Sequence, residues 1–354
     1  MPIHKQTYIK LFAILALWVS MAFGLNIFAA AQSAETKEAK PDYIKWVNFN
    51  IPSTALNRAA KYDIETCASD IHVGWVELLA VLGAKYGGDW KNYKPTDMDK
   101  AAERLKAGES GADIMGGYKN FGYFLEAYGA VLSGFLGEYR KDMEDNARGL
   151  IVPCEKYGLK AFSPIAEGFP FSHYRDFGDS RGYGYSRPHL GNDLMGSVGT
   201  PIIAVEGGVV EELGWNRYGG WRVGIRSFDS KRYYFYAHMR KDRPFAAGLA
   251  EGARVQAGDV IGYMGMTGYS VKENVNNMKV PHLHFGLQLI FDESQKDGDN
   301  EIWVDVYDIV EFLRQNRATV TRNEETKEYA RRYPMYDKNF PPPGQKQNKT
   351  NFKL

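Results

Sequence analysis

The chain has 354 residues, a length that can bury a large hydrophobic core and that is typical of two domains. Its 44 Lys and Arg residues balance 43 Asp and Glu residues, so no basic surface favours nucleic acid as a partner. The 37 glycines and an aromatic content of 14% suit a turn-rich β protein. Binding of any partner is therefore expected to depend on a specific site.

The first 31 residues have the pattern of an export segment. Lys5 and Lys10 precede an apolar run, and the small residues Ala29 and Ala31 fit a signal-peptidase site. The alanines favour cleavage, but residues 11–31 are also long enough to span a bilayer as an uncleaved membrane anchor. Both alternatives place the rest of the protein outside the cytoplasm, either secreted or anchored at the cell surface.

Residues 42–155 are predicted to form a helical domain, after a polar linker at residues 32–41. The segment DIHVGWVELLAVLGAKYGG has apolar residues at helical spacing and ends in two glycines. A second helix is predicted between Thr96, an N-cap candidate, and Gly108, and NFGYFLEAYGAVLSGFLGEY predicts a third, longer one. This region contains no recognisable set of catalytic residues, so its role stays open.

Cys67 and Cys154 are the only cysteines in the sequence. In an oxidising compartment one disulfide could join them and tie the helical region to the start of the β-rich region. Two separate buried thiols fit the sequence equally well, because spacing alone does not establish contact.

From about residue 160 the pattern changes to short apolar runs separated by glycines. The segments GTPIIAVEGGVVEELGW, WRVGIRSFDSKRYYFYAHM and ARVQAGDVIGYMGMTGYS predict strands and hairpins. The fold class is therefore α+β: a helical N-terminal domain followed by an antiparallel all-β domain at residues 160–316. Residues 317–354 lack apolar periodicity and are predicted to be a polar, disordered tail.

Histidines concentrate in the predicted β domain, which contains His173, His189, His238, His282 and His284. His282 and His284 lie one residue apart in the strand-like VPHLHFGLQL, so both point to one face, about 6–7 Å apart. His189 and Asp193 would be roughly 13 Å apart on a straight strand, but the glycine between them allows a turn that brings them together.

This pattern suits a catalytic metal, because two histidines and one carboxylate with an open fourth position are the ligands of a catalytic zinc ion. Zinc makes water a nucleophile near neutral pH, and amide hydrolysis also needs a base and a donor to the developing oxyanion. The five candidate residues are two more than the three protein ligands that a catalytic zinc ion requires. Two unligated histidines could share the remaining tasks: His238 ends an aromatic strand, and His282 flanks the ligand candidate His284.

Other polar residues near these motifs have simpler interpretations. His173 is predicted to be a surface or groove residue rather than a ligand. Arg175, Asp176 and Arg187 are predicted to form a solvated charge cluster, although they could contact a substrate. Three aromatic residues could line a groove or pack in the core: Trp215, Tyr218 and Trp221.

The motifs HLGND, YAH and HLHF, with the Gly-rich segments between them and their order, resemble the lysostaphin/LytM-type zinc endopeptidases of bacterial cell walls. The resemblance covers roughly residues 170–315. It implies a LytM-like, duplicated hybrid motif β fold with a groove, one Zn²⁺ per chain, and hydrolysis of peptide bonds in peptidoglycan, in the stem peptide or the cross-bridge. The segment YSVKENVNNMKVP is longer than the family's usual connection, which leaves the choice of substrate open.

The resemblance also assigns roles to residues by position. The implied zinc ligands are His189, Asp193 and His284. His238 and His282 would be the base and the transition-state stabiliser, in an order that the sequence does not fix. A tyrosine before the first ligand would help to hold the oxyanion, with Tyr183 as the best match and Tyr185 as an alternative.

Two other functions are compatible with parts of this pattern. One is a catalytically latent LytM-like module that binds the cell wall or a partner protein, which would require the site to be covered, for example by the helical region. The other is a glucose-type phosphocarrier, which shares the β architecture and paired histidines, but the export segment and the His-x-x-x-Asp pair count against it. Metal content separates the endopeptidase from the phosphocarrier, and turnover separates it from the latent module.

Overall fold

The computed structural model describes residues 43–118, 120–145, 147–182, 186–298 and 300–343. The predicted export segment and linker lie outside these described residues. From Ile44 onward the described residues form one compact unit. Within them, no helix combines the length and apolar character needed to cross a membrane.

The N-terminal part of the described chain is helical because apolar side chains at helical spacing give each helix a buried face. The helices are α1 Ser53–Thr66, α2 Trp75–Tyr86, α3 Pro95–Lys106, α4 Gly111–Met115 and α5 Phe121–Leu132. Helix α2 ends at Gly87 in the left-handed conformation, as the two glycines predicted. Helix α3 begins at Pro95, so Thr96 lies inside the first turn instead of capping it.

Antiparallel strands follow the helices. They are β1 Leu136–Asp145, β2 Leu150–Leu159, β3 Ser172–His173, β4 Ser180–Gly182, β5 Ser186–Pro188, β6 Asn192–Met195, β7 Pro201–Ile203, β8 Gly208–Asn216, β9 Gly220–Ser227, β10 Arg232–Ala237, β11 Arg254–Val255, β12 Val260–Tyr263, β13 His282–Leu289 and β14 Ile302–Trp303. The main sheet has the order β11-β8-β9-β10-β13-β6-β3, with β14 added to β13. The predicted α+β order is confirmed.

The chain closes with a short helix, α6 Tyr307–Leu313, and three short strands, β15 Val320–Arg322, β16 Tyr329–Arg331 and β17 Met335–Asp337. The prediction of a disordered tail is therefore wrong for residues 320–337. Met335 is buried, and Arg331 donates to the main-chain oxygen of Ala257 at 2.7 Å. Long-range contacts hold these strands in place. Such contacts do not require apolar residues at regular spacing, so the sequence pattern did not predict the strands.

A second difference concerns the predicted helical domain at residues 42–155. Its last part forms the hairpin of β1 and β2, and β17 pairs with β1 across the intervening β domain. Helix α5 ends at Leu132, earlier than the predicted longer helix. Cys67 and Cys154 are both free and half-buried, so they are separate thiols in this structure.

The helices are fixed to the back of the main sheet by Arg232, which is fully buried in β10. Its guanidinium donates to the main-chain oxygen of Ala130 in α5 at 2.7 Å and forms an ion pair with Glu206 at 2.7 Å. Loss of one partner of such a buried pair costs about 3–5 kcal/mol. The contact anchors β10, the strand that ends immediately before His238.

Candidate metal centre

Strand register places the first two candidate ligands side by side. Strands β6 and β13 are antiparallel neighbours, and Asp193 lies directly opposite His284. Side chains at such positions are close enough to share a ligand, since opposed Cα atoms lie about 4.5–5.5 Å apart. His282 lies two residues before His284 and on the same face of β13, opposite Met195.

Gly191 allows the third ligand to reach the pair. A Cβ atom at residue 191 would lie 2.6 Å from Cε1 of His284 and 2.7 Å from the main-chain oxygen of Phe285. Only glycine lets the segment between His189 and Asp193 approach β13 this closely. The sequence predicted a turn at this glycine, and the structure adds that the requirement is steric, because Gly191 is not among the residues with positive φ.

The three side chains converge on one point. Nε2 of His189 lies 2.9 Å from Nδ1 of His284 and 3.1 Å from Oδ1 of Asp193, and the last two atoms are also 3.1 Å apart. Tetrahedral ligands at about 2.0–2.1 Å from a zinc ion lie about 3.3 Å from one another. The donor set and its spacing therefore fit zinc, which these three residues would hold.

The electrostatics of the cluster favour a cation. Burial alone would raise the pKa of the Asp193 carboxyl, but hydrogen bonds and charge interactions with His189 and His284 hold this pKa well below its usual range. Burial alone would lower the pKa of His189, but hydrogen bonds with Asp176 and Asp193 outweigh it and raise the pKa to about 9. Burial lowers the pKa of His284. Two carboxylates therefore favour positive charge at this point, as a proton or as a metal ion.

Behind the ligands lies a chain of buried hydrogen bonds that the sequence did not reveal. Nδ1 of His189 lies 3.0 Å from the main-chain oxygen of Asp176, an acceptor, so this nitrogen carries the proton and Nε2 keeps its lone pair for the cluster. The Asp176 carboxylate accepts a hydrogen bond from Asn192 at 3.0 Å. Asn192 in turn contacts His173 at 2.5 Å, and His173 contacts Glu311 of α6 at 2.5 Å.

Two predictions are corrected by this chain of hydrogen bonds. His173 is buried rather than a surface or groove residue, and it stacks on Tyr307. Asp176 is 9% exposed and supports His189, so it does not belong to a solvated charge cluster. The Asp176 carboxylate also lies 3.3 Å from Nδ1 of His189, and a residue 13 positions before the first ligand has no sequence signal for this role, because only the fold brings the two together.

His238 and His282 face the same cavity with one ring nitrogen each. Nδ1 of His238 lies 2.8 Å from the main-chain oxygen of Thr267, and Nδ1 of His282 lies 2.8 Å from that of Val280. Main-chain oxygens only accept, so Nδ1 is the donor in both rings and Nε2 is the nitrogen left for other partners. The two ring centroids are 4.7 Å apart. Burial and the neighbouring His282 and His284 lower the pKa of His238 to about 3.

The backbone at His238 has an uncommon conformation that the surrounding loops impose. Its φ is 60°, in the left-handed region that residues other than glycine rarely adopt. Gly268 packs against the ring, because a Cβ there would lie 2.8 Å from Nδ1 of His238 and 2.5 Å from the main-chain oxygen of Tyr218. The position of His238 is therefore determined by two loops and by the end of β10.

Two cavities, of about 400 Å³ and 320 Å³, lie on the two sides of the cluster. They are neighbours that share four lining residues: Arg187, Asn216, Phe235 and His284. Tyr218 and Tyr269 line the larger cavity, which decides the role of Tyr218 in favour of the groove. The long segment at residues 269–281 lies beside the site, because Met278 from this segment also lines the larger cavity.

The structure thus brings together five of the six residues predicted for the site: His189, Asp193, His238, His282 and His284. The sixth, Tyr183, and its alternative Tyr185 lie outside the described residues.

Comparisons with known proteins agree with the geometry. Residues 187–297, which include all five of these side chains, match peptidase family M23. A Bacillus subtilis (strain 168) protein named L-Ala--D-Glu endopeptidase is 36% identical over 180 residues, which are 47% of this chain and 52% of that protein. Lysostaphin of Staphylococcus simulans is 34% identical over 114 residues, 30% of this chain and 20% of that protein.

Among solved structures, a proposed glycyl-glycine endopeptidase LytM from Ruminococcus gnavus ATCC 29149 aligns with a TM-score of 0.49 at 23% identity. The alignment covers 78% of this chain and 92% of that chain. The chain spans about half the length of the Bacillus subtilis relative and a fifth of the length of lysostaphin.

Proposed function

Because residues 187–297 form a domain of peptidase family M23, we propose that this protein is a zinc-dependent endopeptidase that hydrolyses peptide bonds of bacterial peptidoglycan. The observation that carries the proposal is the convergence of one carboxylate oxygen and two imidazole nitrogens, at 2.9–3.1 Å, inside a groove. The Bacillus subtilis relative named L-Ala--D-Glu endopeptidase supports a peptide substrate of this class.

In this proposal His189, Asp193 and His284 hold a single Zn²⁺. When bound, zinc supplies Lewis acidity, which activates water and polarises a scissile carbonyl. The protein's contribution is to fix the ligands before metal arrives. Asp176 orients the imidazole of His189 by accepting from its Nδ1, and the sheet register fixes Asp193 against His284.

His238 and His282 handle the protons. In both rings Nδ1 is held by a main-chain oxygen, so Nε2 is the atom at which one of them would take a proton from the attacking water. A histidine that has gained this proton can return it to the leaving amine, and its positive charge stabilises the developing oxyanion. The two rings lie close enough to divide these roles, and Tyr183 would add a further donor to the oxyanion.

The groove is open, and this favours an active enzyme over the alternative of a latent module, which would require a covered site. The described residues that line the two cavities all lie between residues 181 and 303, so no described residue of helices α1 to α5 contacts the groove. We propose that the helical region at residues 53–132 positions the enzyme and that the M23 domain at residues 160–316 acts outside the cytoplasm. Export or anchoring would depend on residues 1–31.

The test is mass spectrometry of products after the full chain, loaded with zinc, meets purified peptidoglycan with and without a chelator. New peptide ends that disappear with the chelator are expected, and their masses name the bond. The matched control is Asp193→Ala, which should release no new ends. If several wall types yield no new ends from a zinc-loaded sample, the endopeptidase proposal is wrong and the latent module takes its place.

A further inference from the structure

We propose that the groove selects peptides with a free carboxylate beside the bond that is cut, and that Arg187 binds this carboxylate. The inference rests on the proposed function, since it specifies the substrate of the same groove. Neutral peptides, such as glycyl chains, lack this group.

Arg187 occupies the junction of the two cavities. It lies on β5, two residues before His189, and it lines both cavities together with the ligand candidate His284. A peptide that fills the larger cavity therefore lies against both Arg187 and the metal cluster. A group bound by Arg187 would lie next to the scissile bond and not at a distant end of the substrate.

The guanidinium of Arg187 is held in place before any ligand binds. Its central carbon lies 5.2 Å from the ring centroid of Tyr218 and 5.8 Å from that of Tyr269. Nη2 donates to the hydroxyl of Tyr269 at 3.0 Å. Stacking and this hydrogen bond restrict the side chain, so little conformational entropy remains to be lost when an anion binds.

The charge of Arg187 is not compensated, in contrast to the other arginines of the groove. Arg181 pairs with Asp176 and Arg222 pairs with Glu212. Among the described residues no carboxylate forms an ion pair with Arg187, which is the contrast; its Nε, like that of Arg222, is buried without a hydrogen-bond partner. A partly buried cation with an unmet donor is unfavourable unless a ligand supplies the missing negative charge.

The geometry of the side chain favours a carboxylate as this ligand. A guanidinium presents paired N–H donors that match the two oxygens of a carboxylate. A glutamate that is joined to the peptide through its side-chain carboxyl keeps its α-carboxylate free, close to the amide on either side. Such a residue would place its α-carboxylate on Arg187 while the neighbouring amide lies over the metal cluster.

The test uses two peptides that differ in one group: acetyl-L-Ala-γ-D-Glu-L-Lys and the same peptide with the glutamate α-carboxylate converted to a carboxamide. Equilibrium binding and kcat/KM are measured for both with the full, zinc-loaded chain. We expect binding to favour the carboxylate peptide by about 10- to 100-fold, the range of a charge-assisted hydrogen bond. Arg187→Gln should bring this ratio close to one, and Arg187→Lys should keep part of it.

Arg217→Gln is the matched control, because Arg217 also lies over Tyr218, at 4.7 Å, but is exposed and lines neither cavity. It should keep the full ratio. Equal binding of the two peptides, binding of neither, or an unchanged ratio in Arg187→Gln would overturn the inference. Preferential binding without hydrolysis of either peptide would overturn the endopeptidase proposal and leave the carboxylate site standing.

Discussion

The cluster around Arg232 and the cluster around Asp193 are both buried, and both contain opposite charges. They differ in how their charges and hydrogen-bonding groups are satisfied. The guanidinium of Arg232 donates to Glu206, to Asp229 and to the main-chain oxygen of Ala130, all within the protein. Tyr234 also donates to Glu206, at 2.6 Å. The described contacts therefore balance charge and satisfy donors, as a structural cluster requires.

The Asp193 cluster has the opposite character. Two imidazole nitrogens and a carboxylate oxygen, all able to act as acceptors, lie within 3.1 Å of one another. Acceptors packed together are unfavourable unless a cation or a shared proton lies between them. The comparison shows that burial and ion pairing alone do not mark a functional site. A functional site is marked by a set of lone pairs that converge on one point beside a cavity.

The largest expected effect comes from removing a ligand. Asp193→Ala should lose zinc and reduce turnover by more than about 100-fold, since loss of a group behind a ligand already costs about 10–100-fold. Metal content by elemental analysis and turnover on peptidoglycan check this. Asp229→Ala, which removes a carboxylate from the structural cluster, is the matched control and should keep its zinc. An active, zinc-free Asp193→Ala protein contradicts the ligand assignment.

Next in size is the loss of a proton-handling group. His238→Ala and His282→Ala should each keep zinc and lose about 10²- to 10⁴-fold in kcat, because neither side chain belongs to the converging set. Parallel measurements of metal content and kcat separate this class from the ligands. Loss of zinc in either variant would show that the substituted histidine is a zinc ligand.

The structural cluster predicts a change in stability and not in metal binding. Arg232→Met leaves Glu206 buried without its main partner, so the free energy of unfolding should fall by about 3–5 kcal/mol. Urea unfolding measures this change. The double variant Glu206→Gln/Arg232→Met should recover part of the loss, and zinc content should stay unchanged in all soluble variants. A loss of zinc in Arg232→Met would mean that the two clusters are coupled.

The smallest effect is expected for residues that support the ligands through hydrogen bonds without contacting the metal position. Asp176→Asn removes the charge that supports His189, so zinc affinity should fall by about 10- to 100-fold. Competition with a chromogenic chelator measures the zinc Kd without any assay of activity. Glu311→Gln, at the far end of the same chain of hydrogen bonds, serves as the comparison and should change the Kd less. If both variants weaken zinc binding equally, the whole chain of hydrogen bonds from Glu311 to His189 supports the ligand as one unit.

Several features of the site follow from local sequence. A strand has a side-chain period of two, so His282 and His284 had to share a face wherever β13 lies. The order of helices followed by strands also follows from local spacing of apolar residues. The tail and the β1–β2 hairpin could not be predicted in this way, because β17 pairs with β1 about 200 residues earlier in the chain and neither has a strongly apolar face.

The sequence by itself determined the types of candidate ligand, the shared face of the His-x-His pair and the possibility of a turn at the glycine between His189 and Asp193. Only the tertiary structure decided that Asp193 lies opposite His284, that Asp176 supports His189, and that Arg187 has no counter-charge among the described residues of the groove. The physical reason is that side-chain periodicity is a local property of the backbone, whereas strand register and charge compensation depend on segments that are distant in the chain.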